Sequence, residues 1–152
     1  MAQATENDAA GQPAELQHRI AEFVRAFGLH RPDETPCGAP VPVSEAHALA
    51  ALAERGALAQ RQLGSFLGLT KSTVSRLVDQ LERRGWVSRR PGDGDARQRL
   101  VSLTTEGEKV AADIARRRAD RMARLLDHVP ESDRSALLTA LATLVEAARA
   151  TD

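Results

Sequence analysis

The chain has no tyrosine, one tryptophan, three phenylalanines and one cysteine among its 152 residues. The lone Cys37 excludes an intramolecular disulfide framework and makes the cytoplasm the expected compartment. Four aromatic side chains (Phe23, Phe27, Phe66 and Trp86) are too few to identify a stacking ligand from composition. No apolar run approaches the roughly 18 residues of a membrane span, so no membrane partner is expected. Residues 1–12 lack a basic start and an apolar core, so no export signal is expected either. No internal repeat or long low-complexity tract is present. Also missing are a Gly-rich phosphate loop, a Gly-x-Ser-x-Gly elbow and a paired His or carboxylate set on one element, which argues against an enzyme and against a bound cofactor.

Net charge is absent too, the formal sum being zero. Its distribution is uneven. Residues 56–104 hold nine Lys/Arg against four acids, a local excess of five positive charges that the rest of the chain offsets. An acidic body with a basic face is the footprint a polyanion would need. With 42% hydrophobic residues the chain is long enough for one cored domain with arms.

The basic stretch has helical and then strand periodicity. Val74, Leu77, Val78 and Leu81 recur at i, i+3, i+4 and i+7, so residues 70–85 form an amphipathic helix with Thr70 as N-cap and Gly85 as C′ residue. Its other face carries Lys71, Ser72, Ser75, Arg76, Gln80 and Arg83, donors suited to phosphates and base edges. A shorter helix over 59–67 buries Leu63, Phe66 and Leu67, and only Gly68 and Leu69 separate the two. The second helix must therefore cross the first steeply, as in a helix-turn-helix. From Trp86 the period becomes 2: residues 86–90 and 99–103 read as strands and 91–95 as their turn. Arg89, Arg90, Arg97 and Arg99 make this hairpin a finger for the phosphate backbone or minor groove, or else a solvated charged loop.

On either side the pattern is helical. Leu16, Ile20, Phe23, Val24 and Phe27 predict a helix over 13–28. Four prolines and Gly38 make 29–42 an irregular loop. Ala46, Leu49, Ala50, Leu52 and Ala53 are the buried face of a helix ending near Arg55. After the hairpin, Thr104 or Thr105 caps a long helix reaching about His128, with Thr105 and Glu108 at capping-box spacing. Pro130 interrupts it, and 131–149 forms a last helix with Leu137, Leu138, Leu141, Leu144 and Val145. The fold class is therefore mainly α with a small β-hairpin wing: a winged helix-turn-helix with N- and C-terminal dimerisation helices. Its expected parts are a disordered N-terminal arm (1–12), a first dimerisation helix and loop (13–42), a DNA-binding domain (43–104) and C-terminal dimerisation helices (105–152). One-sidedly apolar long helices need packing to persist, which favours a homodimer over intramolecular packing.

The run from Leu69 to Val78, then Leu81-Glu-Arg-Arg-Gly-Trp-Val87, then Asp95-Ala-Arg97 followed by Leu100 to Thr104 and Gly107, resembles the MarR family of bacterial transcriptional regulators. The resemblance covers residues 43–107. It implies a homodimer on double-stranded DNA, repression relieved by a small-molecule ligand, and a wing in which Arg97 enters the minor groove while Asp95 holds it. The expected DNA-binding residues are Thr70, Lys71, Ser72, Thr73, Ser75, Arg76, Gln80, Arg90, Asp95, Arg97 and Arg99. Arg76 and Gln80 are the expected base readers, although Arg76 has an alternative ion-pair partner in Asp79. Two recognition helices about one DNA turn apart would read a pseudo-palindrome.

By the same resemblance the ligand sits in the crevice among the first, second and long fifth helices. Some family members sense peroxide through a cysteine, which makes Cys37 a second possibility. Those cysteines lie in the first helix beside tyrosines, whereas Cys37 sits in a Pro-rich loop of a tyrosine-free chain. His30, Cys37, Glu45 and His47 match no zinc spacing, so no metal is expected. A winged domain used only for protein contacts is the remaining alternative. It would not need Lys71, Arg76, Arg90 and Arg97 on one side, and it would lack salt-sensitive binding to duplex DNA.

Overall fold

A computed structural model of the chain describes residues 2–31, 33–92 and 99–151. Six helices and a small sheet follow in the order α1 (Ala2–Phe27), α2 (Val43–Arg55), β1 (Leu58–Ala59), α3 (Gln60–Phe66), α4 (Lys71–Arg83), β2 (Val87–Pro91), β3 (Arg99–Leu103), α5 (Thr105–Asp127) and α6 (Glu131–Ala150). Most helix bounds agree with the periodicity. The start of α1 does not: the stretch expected as a disordered arm is helical from Ala2, with Pro13 inside the helix. Ala2, Ala4, Ala9 and Ala10 explain the difference, alanine being the strongest helix former.

The loop between α1 and α2 packs as a plug. Thr35 is buried, its amide donates to the Ala39 carbonyl at 3.0 Å, and its Oγ1 accepts from the Ala39 amide at 3.1 Å. This tight turn inserts Ala39 and Val41 into the core beside α2. The buried face of α2 is Glu45, Ala46, Ala48, Leu49, Ala51 and Leu52. Ala53, expected inside, is exposed, because the face has turned to include Ala48, Ala51 and a carboxylate.

The helix-turn-helix closes as expected. Gly68 takes φ +65°, and the Leu69 amide donates to the Gly64 carbonyl at 2.9 Å. Gly64 faces Val74, whose Cγ1 would stand 3.1 Å from an added Cβ, so α3 and α4 cross almost at backbone contact. Thr70 Oγ1 accepts from the Thr73 amide at 3.3 Å, and Gly85 takes φ +74° just past α4. Val74, Leu77, Val78 and Leu81 are buried against Leu49, Leu63 and Val101.

The hairpin is part of a three-stranded antiparallel sheet in the order β1-β3-β2, with Val87 opposite Leu103 and Leu58 opposite Val101. Two-residue β1 is too short to show a period and was not expected. Thr104 is the N-cap of α5: its Oγ1 accepts from the Gly107 amide at 3.0 Å and donates to the Gly85 carbonyl at 2.6 Å. The end of α4, the start of β2 and the start of α5 are thereby tied at one point.

Burial ends part-way along the terminal helices. α5 buries Gly107, Ala111 and Ile114, all in its first half, and α6 buries none of its residues. Leu16, Ile20 and Phe23 on α1, Leu125 on α5, and Leu138, Leu141 and Val145 on α6 are 40–59% exposed.

Candidate nucleic-acid interface and adjoining cavity

Because one face of α4 is committed to the core, its polar residues have a single direction left. Lys71, Ser72, Thr73, Arg76 and Gln80 are exposed and Ser75 is half-buried. Thr70 and Thr73 serve the helix start: their hydroxyls lie 2.9 Å apart, with Ser72 Oγ 3.2 Å from Thr70 Oγ1. Among the described residues the Arg76 Nε reaches only the Ser72 carbonyl, at 3.4 Å. Asp79, its alternative partner by sequence, is engaged by Arg89 instead.

A concavity of about 550 Å³ lined by Gln60, Thr70, Lys71, Ser72 and Ser75 opens at the α4 N-terminus. A second, of about 580 Å³, has Gln60, Arg61, Ser65, Lys71 and Arg99 on its walls. They share Gln60 and Lys71, so a trough carrying these polar side chains runs from the start of α3 across the first turn of α4 to β3. Gln60 and Arg61 were not singled out by sequence; the available signal was the polar run Gln60-Arg61-Gln62 opening α3, whose first turn must lie beside that of α4. Among the described residues, Arg61, Lys71, Arg76, Arg83 and Arg99 make no ion pair. Arg90 and Arg99 are exposed on the hairpin strands, with Arg90 opposite Leu100. Asp95 and Arg97 lie outside the described residues.

Two arginines of the basic stretch are engaged by carboxylates of the fold. Arg89, expected on the finger, has a side chain only 18% exposed; its Nη2 lies 2.6 Å from Asp79 Oδ1 and its Nη1 2.7 Å from Glu82 Oε2. Strand β2 runs alongside α4, so a guanidinium on that side meets the helix carboxylates before it meets solvent. Arg84 pairs with Glu45 at 3.0 Å and stacks on the Trp86 ring at 4.9 Å from its centroid. Burial pushes the Glu45 carboxyl above its usual range, with Arg84 opposing the shift. Trp86 packs against the core, but Phe66, expected there from its spacing, does not: it is 48% exposed under Arg55, whose guanidinium sits 4.3 Å from the ring centroid. Short α3 buries only Leu63 and Gly64, and its last turn ends outside the core.

On the other side of α2 lies a mostly apolar cavity of about 270 Å³. Phe23 and Phe27 of α1, stacked with centroids 5.2 Å apart, form one wall, and Val43 and His47 of α2 another. Arg118, Arg121 and Met122 of α5 complete it. This is the crevice among first, second and fifth helices. Arg116 and Arg117 turn away to bind Asp113, and those bonds, that from Arg117 foremost, hold its carboxyl below the usual range. Arg121 lies over Phe27 at 5.5 Å from the ring centroid. Burial, and then the charge of Arg118, keep His47 below the ordinary histidine range. Arg121 over a stacked aromatic wall, with Arg118 also on the cavity lining, offers a place for a flat acid.

Cys37 lines the same cavity, with Sγ 2.8 Å from Thr35 Oγ1. Glu45, considered with Cys37 and His47 as a metal donor, faces Arg84 instead. Among the described residues no group of three or more His, Cys, Asp or Glu side chains converges, and no helix is long and apolar enough to cross a membrane.

Residues 39–98 match the model of the MarR family. The chain is 42% identical over 59 residues to the HTH-type transcriptional regulator YwoH of Bacillus subtilis strain 168, a match covering 39% of this chain and 42% of that relative. The chain thus spans less than half the length of the relative it matches. Over most of its length it shares the fold of the PcaV transcriptional regulator from Streptomyces coelicolor, solved with its natural ligand (TM-score 0.67, 24% identity, 91% of this chain and 95% of that one). The fold likewise matches BpsR of Bordetella bronchiseptica, whose DNA binding is regulated by 6-hydroxynicotinic acid (TM-score 0.66, 19% identity, 88% and 98%).

Proposed function

We propose that this chain, whose residues 39–98 form a MarR-family winged domain, is a homodimeric transcriptional regulator that grips duplex DNA and lets go when a small acid enters its cavity. The observation that carries the reading is the face of α4: Lys71, Ser72, Arg76 and Gln80 stand exposed, Lys71 and Ser72 on the edge of the trough, while the opposite face is locked in the core. Arg76 and Gln80 read base edges; Lys71, Ser72 and Ser75 bind phosphates beside the orphan amides of the helix start. Thr70 and Thr73 hold that start in shape. Arg90 and Arg99 follow the backbone from the hairpin, with Arg97 in the minor groove and Asp95 orienting it, as the family resemblance implies.

The half-exposed apolar residues of α1 and α6 support the dimer, since such faces on long helices are stable when a second copy covers them. A two-fold axis then sets two α4 helices against half-sites roughly 34 Å apart. The ligand class follows from Arg121 over Phe27, which stacks on Phe23, and from Arg118 on the lining of the same cavity. 6-Hydroxynicotinic acid, the effector of a neighbour in fold, is a flat acid of that kind. Release requires only that the ligand favour a dimer whose recognition helices no longer match the half-site spacing. The regulator acts as a repressor in the cytoplasm.

The test is selection of bound duplexes from a random pool by the purified protein at two salt concentrations. An enriched inverted repeat with steep salt dependence is expected. Failure to enrich any sequence, or binding that salt erases without sequence preference, overturns the reading in favour of a protein-contact module.

A further inference from the structure

Asp79 lies three residues after Arg76 on α4, within reach of an i,i+3 ion pair. Such a pair would draw the Arg76 guanidinium down onto its own helix. It does not form. The Asp79 carboxylate is held at 2.6 Å by Arg89 from the neighbouring strand, and the same guanidinium holds Glu82 at 2.7 Å. The Arg89 Nη2 also approaches the Ser75 carbonyl at 3.4 Å. The geometry is a clamp: one side chain that is 18% exposed, closed on two carboxylates that are 46% and 42% exposed.

We infer that Arg89 is a positioning residue of the DNA interface. By occupying Asp79 it leaves Arg76 to base edges, and by pairing with Asp79 and Glu82 it offsets one of their two negative charges beside the phosphates. This role rests on the DNA-binding reading. It differs from the contact that a basic hairpin residue suggests, because Arg89 acts through Asp79 on Arg76 without touching DNA.

The two roles separate in a rescue experiment on the operator recovered by selection. Arg76→Ala first identifies the base position that depends on Arg76. Arg89→Met keeps the side-chain stem and removes the charge. It is expected to flatten preference at that same position and to weaken specific binding about tenfold. Adding Asp79→Asn to Arg89→Met is expected to restore both, since the competing carboxylate is gone. Glu82→Gln alone leaves base preference unchanged. An Arg89→Met variant that keeps its base preference overturns the inference, as does one whose loss is uniform across sequences and not restored by Asp79→Asn. If thermal melting shows Arg89→Met to be unfolded, Arg89→Lys takes its place, with a smaller loss and the same rescue expected. Wild-type protein that enriches no operator removes the DNA-binding reading and this role together, whereas a failed rescue on a good operator removes only the role of Arg89.

Discussion

Gly107→Ala is the substitution for which the structure gives the sharpest expectation. Gly107 lies in the first turn of α5 against the backbone of Trp86, and a Cβ there would stand 1.9 Å from the Trp86 carbonyl oxygen and 2.8 Å from its carbon, where real Cβ atoms do not come within 3.0 Å. The helix start must move by about 1 Å, and three hydrogen bonds meet at that point. They are Thr104 N to Trp86 O (3.0 Å), Thr104 Oγ1 to Gly85 O (2.6 Å) and Gly107 N to Thr104 Oγ1 (3.0 Å). Losing them costs about 3 kcal/mol. The gain in helix propensity returns about 1 kcal/mol, and residual overpacking adds about 1–3 kcal/mol. The expected net loss is about 3 kcal/mol or more, a fall in melting temperature of roughly 6–12 °C for a chain of this size. Gly64→Ala is the internal comparison, because its Cβ would meet the Val74 Cγ1 at 3.1 Å, the end of a side chain that can shift. It should cost about 1 kcal/mol or less. Urea unfolding of both variants at one protein concentration measures the difference. A Gly107→Ala protein as stable as Gly64→Ala would refute the rigid joint between β2 and α5.

The pair of buried Glu45 and exposed Arg84 makes stability depend on pH. Because the Glu45 carboxyl is raised, the native state holds its proton more tightly than the unfolded chain, and the contribution of this group falls as pH rises through its titration range. Glu45→Gln should therefore match or exceed wild-type stability at neutral pH and lose any advantage below about pH 4, where both states are protonated. Arg84→Ala should cost about 1–2 kcal/mol at neutral pH, the low end for a stranded buried charge because the guanidinium is partly in water, and recover on acidification; urea unfolding across pH checks both. Lys71→Ala should lower the slope of log affinity against log salt by about one, while Arg84→Ala leaves the slope unchanged in binding titrations. Leu138→Glu with Leu141→Glu should give a monomer by sedimentation, and an intact dimer would remove α6 from the interface. Arg121→Ala should weaken calorimetric binding of nicotinate or benzoate about tenfold without changing DNA affinity in their absence; unaltered binding would place the acid elsewhere.

Periodicity located α4 because its two ends carry their own chemistry, Thr70 as cap and Gly85 at positive φ, and because four apolar residues at fixed spacing leave one buried face. The limits of such reading appear where a side chain's role depends on a partner far along the chain. Arg89 looked like a finger because sequence reveals charge and not its neighbours, which stand 7 and 10 residues away across the α4–β2 turn. Glu45 interrupts an apolar face, and its role is hidden in the sequence for the same reason, its partner being Arg84. Phe66 has the right type and spacing for the core, but a seven-residue helix ends before it can turn inward. The cavity draws on α1, the following loop, α2 and α5, so no single stretch displays it. At the N-terminus, composition suggested an arm where alanine propensity favours helix.

The zero net charge acquires a structural meaning once the ion pairs are placed. Many acidic side chains are engaged close to home: Glu15 and Glu22 with Arg19, Asp113 with Arg116 and Arg117, Glu146 with Arg149. These exposed pairs contribute little stability, but they confine the acids to α1, α5 and α6. Near α4 the arrangement is different. Asp79 and Glu82 share one arginine, which offsets one of their two charges, and Glu45 pairs with another; both arginines come from the segment just after or at the end of the helix. What remains around the trough is Arg61, Lys71, Arg76, Arg83 and Arg99, none ion-paired among the described residues. A positive field over one face therefore coexists with electroneutrality of the whole, because at physiological salt charges more than about 8 Å away are largely screened. For the duplex proposed above the relevant quantity is the charge left unpaired within one screening length of α4, and the trough's cations that make no ion pair among the described residues add a positive share to it.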